Sequence, residues 1–305
     1  MGERDQRVNG LLDELGKKVV DRWLTTLLLQ GLLWVCTAVL AWQLGWAHAL
    51  DPRAAAPLLR RLGGDHPAAQ SAAVVAGMLI AAAGAGMTAA GLAAVLRGLR
   101  PAAARSGLAR WLRARRVRRW ERAGERAERL EAEALRAAVG SVAVGPEIAE
   151  ARARQSAVSL ERPENATWVG DRLRANVMRI HRAYGLDVTL MWPRLWVVLP
   201  EAVRTDIAAA QSSYAAADGL AGWAVLYALL GLVWGPALVI AAVVVAVGVM
   251  RARSAADMLC QLVEAAVDLY GPALAEQLRI PCEGALTPAI GGEIDAILRK
   301  EPARP

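Results

Sequence analysis

Arginine is the residue most able to do chemistry in this chain, and it is concentrated. Between Arg97 and Arg126 eleven arginines stand against Glu121 and Glu125, a net +9 in a chain of 305 residues whose total is +7. The basicity therefore belongs to one segment, and the remainder is slightly acidic. Arg113, Arg115, Arg116, Arg118 and Arg119 are its densest part, with Trp111 and Trp120 interleaved. Such a run attracts phosphate. The phosphate belongs either to nucleic acid or to anionic lipid, where each basic residue near the surface contributes about 1 kcal/mol. Membrane-length stretches on both sides of the segment favour lipid and argue against nucleic acid.

A second distinctive segment runs from Leu190 to Pro200. It sets Trp192 and Trp196 around Arg194, which itself lies between Pro193 and Pro200, in a run too short to span a bilayer. Trp prefers the headgroup level and Arg reaches lipid phosphate. The segment reads as a membrane-interface element or as a buried connector.

Other chemistry is sparse. His181 sits between Arg179 and Arg182 on a polar helix face, which suits a solvated histidine. Glu164 and Asp171 have no partner that spacing identifies. The three cysteines, Cys36, Cys260 and Cys282, form no C-x-x-C pair and lie near no histidine, so no structural metal site is expected. No catalytic residue and no cofactor are assigned, and the pattern points away from an enzyme.

The elements that position these residues are apolar. Four stretches stand out, roughly 24–46, 71–96, 216–234 and 236–250, in a chain that is 55% hydrophobic. The first three reach the ~20 helical residues that cross a bilayer core of ~30 Å. Ala47-His48-Ala49 resembles a signal-peptide cleavage site. The apolar run before it, however, exceeds the usual h-region of about 7–15 residues, so it is read as a retained span. Thr25, Thr26, Gln30, Thr37, Gln43 and Thr88 are the polar residues inside the stretches. Ion-coupled transport generally needs ionisable groups there, which argues against a pump. Gly77, Ala81 and Ala85 recur at four-residue spacing, with Gly84, Thr88 and Gly91 nearby. Such a face packs helices closely, either within one subunit or between copies.

Arginines flank the second stretch on its C-terminal side far more densely than they flank the loop 47–70. By the positive-inside rule, residues 97–215 and both termini are cytoplasmic. Gly235-Pro236 divides the last two stretches. The pair reads as a hairpin, a re-entrant pair or one kinked helix, and Arg251 and Arg253 favour the hairpin.

Outside the membrane the pattern is helical throughout. Residues 1–22 form an amphipathic helix, with Val8, Leu11, Leu12, Leu15 and Val19 on one face. Further helices are expected from about Ser106, from Gly145-Pro146, and from Thr167 to Tyr184. The last of these carries Val169, Leu173, Val177, Ile180 and Tyr184 as its apolar face and turns Asp171, Arg172, Arg174, Arg179 and Arg182 away. Gly185 suits a left-handed cap. Another helix starts at Pro200 and runs into the third stretch. Ser254 is expected to cap a helix that Gly271-Pro272 breaks, and Thr287-Pro288 to open the last one, with Ile290, Ile294, Ile297 and Leu298 on one side.

The expected fold is an all-α integral membrane protein. Four transmembrane helices form two hairpins, 23–96 and 216–250, around an inserted cytoplasmic helical domain, 97–215. C-terminal helices follow at 251–305. In topology alone this resembles flagellar-stator-like proteins, whose pore-lining motif is missing. Tyr184-Gly185-Leu186-Asp187 followed by Trp192-Pro193-Arg194-Leu195 resembles uncharacterised actinobacterial multi-pass membrane proteins. That resemblance implies origin and topology and no activity. Arginine in large excess over lysine, abundant alanine and the absence of Phe agree with a GC-rich bacterial genome. The expected location is the bacterial cytoplasmic membrane. The expected function is a non-enzymatic oligomeric assembly (channel, effector or scaffold) that links a cytoplasmic helical module to the bilayer. Its partners would be anionic lipid, further copies of itself and a cytoplasmic protein. The alternatives are an enzyme acting on lipid at the inner leaflet and a membrane-tethered nucleic-acid binder.

Overall fold

A computed structural model describes residues 28–45, 68–137, 145–282 and 284–300. The amphipathic helix expected at 1–22 and most of the loop 47–70 lie outside them. Among the described residues all regular structure is helical. The helices are α1 (Leu28–Leu44), α2 (Ala68–Ala104), α3 (Gly107–Ala137), α4 (Pro146–Val158), α5 (Trp168–Tyr184), α6 (Val188–Val198), α7 (Glu201–Leu230), α8 (Pro236–Gln277) and α9 (Pro288–Leu298). Three of them are long and apolar enough to cross a membrane: Ala72–Leu99 within α2, α7 and α8. Described α1 is shorter.

Two compact units are formed. The first comprises the described residues up to Gly98 together with Asp218–Gly248. Its helices meet at small residues. Gly31 of α1 lies against the Ala82 carbonyl, and Gly222 of α7 against the Ala89 carbonyl, so closely that a Cβ on either glycine has no room. Ala85, Ala89, Trp223 and Leu226 form its buried centre, with Trp34 and Val244 packed on it. The apolar run 219–250 is divided by a turn at 231–235, closed by Val233 N donating to Leu230 O (3.0 Å) and Ala237 N to Trp234 O (3.0 Å).

The second unit comprises Leu99–Ala217 and Val249–Pro305. Its core takes Ile180 from α5, Met191 and Leu195 from α6, Ile207 from α7, Val267 and Leu274 from α8, and Ile294 from α9. Local caps fix several helix ends. The Thr167 hydroxyl accepts from Gly170 N (3.2 Å), and Thr287 caps α9 with Pro288 in its first turn. Gly185 closes α5 at φ 68°, with its N–H donating to His181 O at 2.7 Å. That left-handed geometry favours glycine, and the next residue, Leu186, is fully buried.

Three expectations change. Ser254 caps nothing: it lies within α8, which begins at Pro236. Gly271-Pro272 does not break α8 either, which continues to Gln277 with Pro272 inside. The missing amide bond there is offset by packing, since Gly271 admits the Leu286 side chain and Leu274 and Ala275 are buried beyond it. On α5, Leu173 and Val177 are exposed, whereas Asp171, Arg172, Ala175, Asn176 and Ile180 are buried. Ion pairs reach the two charged residues inside the fold, so hydrophobic period alone does not set the inward face.

Candidate functional site: the arginine face of α3

With about 3.6 residues per turn, α3 separates its arginines onto different faces. One face is pinned to the unit. Arg116 donates through Nη2 to Asp171 Oδ2 (2.8 Å) and to Val158 O (2.9 Å). One turn on, Trp120 Nε1 donates to Ser159 O (3.0 Å). Ala109 and Ala127 are buried on the same side, and Gly124 admits the Gln155 amide of α4. Farther along, Arg152 of α4 forks onto both Glu131 oxygens at 2.8 Å.

Asp171 is the hub of this attachment. It is 5% exposed and accepts from Glu164 N (2.9 Å) and Asn165 N (2.8 Å) as well as from Arg116. Arg172 beside it is paired with Asp257 of α8 (2.7 Å), and Arg253 of α8 lies over the Trp168 ring at 5.7 Å. Burial pulls the Arg116 guanidinium below its ordinary pKa; the Asp171 charge opposes this and nearby Arg253 adds to it. It remains charged, since arginine keeps its proton in proteins.

The opposite face carries Trp111, Arg115, Arg118, Arg119 and Arg122, which line an open cleft of about 450 Å³. Trp111 is half exposed, and the Arg115 guanidinium stands over its ring at 5.6 Å. Among the described residues, Arg118, Arg119 and Arg122 have no hydrogen-bonded or ion-paired partner. Arginine commonly finds carboxylates within a helical turn. Here those of Glu121 and Glu125 point elsewhere, to Arg162 (3.1 Å) and Arg129 (3.6 Å).

The structure thus divides the residues singled out from sequence. Arg115, Arg118 and Arg119 come together, and Arg122 joins them. Arg113 is exposed on a different flank, and Arg116 is turned into the fold. Of the two interleaved tryptophans, Trp111 faces outward while Trp120 is partly buried and bonded. Trp192 and Trp196 pack on the core of the second unit with ring centroids 6.0 Å apart. Arg194 is exposed, its Nη1 donating to Leu190 O within its own helix (2.8 Å). On α2, Gly77 and Ala81 are exposed and Ala85 is buried in the first unit.

Sequence reasoning missed Arg122 as a member of the face and Asp171 as a hub. Helical spacing signals the first: Arg122 lies three and four residues from Arg119 and Arg118. Nothing local signals the second, whose partner Arg116 is 55 positions away. Among the described residues no group of His, Cys, Asp and Glu has the arrangement of a metal site. The chain matches no family model, no curated protein and no solved structure.

Proposed function

We propose that the protein is a non-enzymatic, self-associating scaffold of the bacterial cytoplasmic membrane. In this reading four apolar helices form two hairpins in the bilayer, both termini are cytoplasmic, and the helical unit is held at the inner leaflet. The observation that carries it is the make-up of α7 and α8. Each continuous helix contributes an apolar part to the first unit, and each contributes core residues, Ile207 from α7 and Val267 and Leu274 from α8, to the second. Helices that continue from an apolar unit into a helical module tether the two through the chain, which suits a scaffold. The separation of faces on α2 supports self-association. Ala82, Ala85 and Ala89 are used inside the unit, whereas Gly77, Ala81, Gly84, Thr88 and Gly91 form an outward face of small residues.

The inner-leaflet enzyme reading looks to Trp192–Trp196 for a cleft of convergent polar groups. The segment instead places Met191, Leu195 and Leu199 in the core, and Arg194 bonds to its own helix. That use of α6 supports packing over catalysis. Native mass spectrometry of protein extracted in mild detergent and in nanodiscs tests the scaffold. A defined oligomer is expected, lost in Gly77→Leu and Ala81→Leu. A wild-type monomer in both media would refute self-association.

A further inference from the structure

We propose that the outward face of α3 binds a lipid headgroup carrying two clustered phosphates, gripped by Arg115, Arg118, Arg119 and Arg122. This deepens the membrane reading above and rests on it. Each of the four arginines is three or four residues from two others: Arg115 from Arg118 and Arg119, Arg122 from Arg118 and Arg119. Residues so spaced are neighbours on a helix surface, with Cβ atoms about 5–6 Å apart. The four therefore outline a closed quadrilateral. Arginine forks bind phosphate oxygens in pairs. Arg115 with Arg119 suits one phosphate, and Arg118 with Arg122 suits a second one turn along.

Four like charges this close repel one another, and among the described residues no carboxylate is ion-paired with Arg115, Arg118, Arg119 or Arg122. A ligand with two phosphates relieves that repulsion in one binding event, whereas single-phosphate lipids must be recruited separately. The face is also pre-organised. Arg116 and Trp120 lock the opposite side of α3 to Asp171, Val158 and Ser159, so the helix cannot roll the quartet inward without breaking those bonds.

Lipid is favoured over nucleic acid by what adjoins the quartet. Leu108 (66% exposed) and Trp111 (51% exposed) extend the same face toward the N-terminal end of α3. That end follows the apolar span Ala72–Leu99 in the chain. Apolar groups at one end and phosphate-binding groups at the other match a bilayer edge, where acyl chains adjoin headgroups. A nucleic-acid backbone has no use for Leu108.

The test is native mass spectrometry of the full chain in mild detergent, titrated at equal phosphate concentration with cardiolipin (two phosphodiesters) or phosphatidylglycerol (one). Wild type is expected to retain cardiolipin about tenfold better. Replacing all four arginines by Gln should remove binding of both lipids, while Arg113→Gln, off the face, should leave them unchanged. Replacing the four by Lys keeps the charge and removes the forks. That variant should bind both lipids without preference, and it secures the result should the Gln protein fold poorly. Equal retention of the two lipids by wild type overturns the proposal, as does an undiminished preference in the Lys variant. If nanodisc-embedded wild type holds a short DNA duplex at physiological salt, the Gln variant does not, and wild type retains the two lipids equally, the face is a nucleic-acid site and the lipid assignment falls. Alkaline extraction separates the two readings. Protein released from membranes defeats the scaffold, whereas protein that stays integral without lipid preference defeats only this inference.

Discussion

In the first unit, helices meet backbone to backbone: Gly31 on Ala82, Gly222 on Ala89. In the second they meet mainly through large apolar side chains and through charges, such as Arg116 with Asp171 and Arg172 with Asp257, although Gly291 of α9 also lies directly against the Tyr184 carbonyl. Their surfaces differ as well. The first exposes Ile80 (74%) and Met87 (75%), while exposed positions of the second are rich in arginine and glutamate. Between helices in lipid there is no hydrophobic force, so close approach of small residues supplies the attraction. In water, burial of Leu, Ile and Met supplies it, at roughly 25 cal/mol per Å² of apolar surface. The contrast is what the proposed division of the chain between lipid and water would require, and variants in either unit can break it.

The largest effect is expected at the backbone contacts. Gly222→Leu forces α7 away from α2 and should destabilise the protein by about 3 kcal/mol or more. Gly84→Leu, beside open space, should leave protomer stability nearly unchanged. Thermal unfolding in detergent micelles compares them, and equal losses would remove the case for backbone-to-backbone packing. In the second unit, Asp171→Ala strands the Arg116 guanidinium and should cost about 3 kcal/mol. The double variant Asp171→Leu with Arg116→Met should recover much of that, because both desolvated charges are gone. Hydrogen exchange of α3 and α5 should report the single variant as local loosening. Unchanged protection would mean that Asp171 is not the hub.

Much of the helical outline was legible because caps are local. Gly145-Pro146, Thr167, Gly185 and Thr287-Pro288 act through bonds to residues within one turn. The course of α8 was less legible, since Ser254 and Gly271-Pro272 carry end signals that packing overrides. On α5, the apolar periodicity found Ile180 and Tyr184, which lie in or on the core, but not the rest of the inward face: Leu173 and Val177 are exposed while Asp171 and Arg172 are buried, because the partners of those two include residues of distant helices. For the arginine run, density groups Arg113 and Arg116 with Arg115, Arg118 and Arg119 and leaves out Arg122, which only three- and four-residue spacing joins to Arg118 and Arg119. The rotation of α3, which takes Arg116 inward, is set by Asp171 and the carbonyls of Val158 and Ser159.

The smallest effect concerns a single surface bond. Tyr184 OH donates to Asp268 Oδ1 at 2.8 Å. That bond raises the Tyr184 pKa, with burial and the charges of Asp268 and Glu264 adding to it. Raised in the folded state, the phenol stabilises the protein fully below the ordinary tyrosine value of about 10 and loses that contribution as pH rises through its folded value. Tyr184→Phe should therefore cost about 0.5 kcal/mol at neutral pH, a small value because solvent competes for the bond. The gap to wild type should close in alkaline solution. A gap that widens with pH would show that another group controls the region.

Topology tests the membrane-scaffold account most directly. Alkaline phosphatase, active only outside the cytoplasm, is inserted after Gln155, within the turn at 231–235, and after Lys300. Low activity at Gln155 and Lys300 with high activity in the turn is the expected result, since the helical unit and the C-terminus then share the cytoplasm and α7–α8 forms a complete hairpin. High activity at Gln155 would place the arginine face outside the inner leaflet and contradict the scaffold.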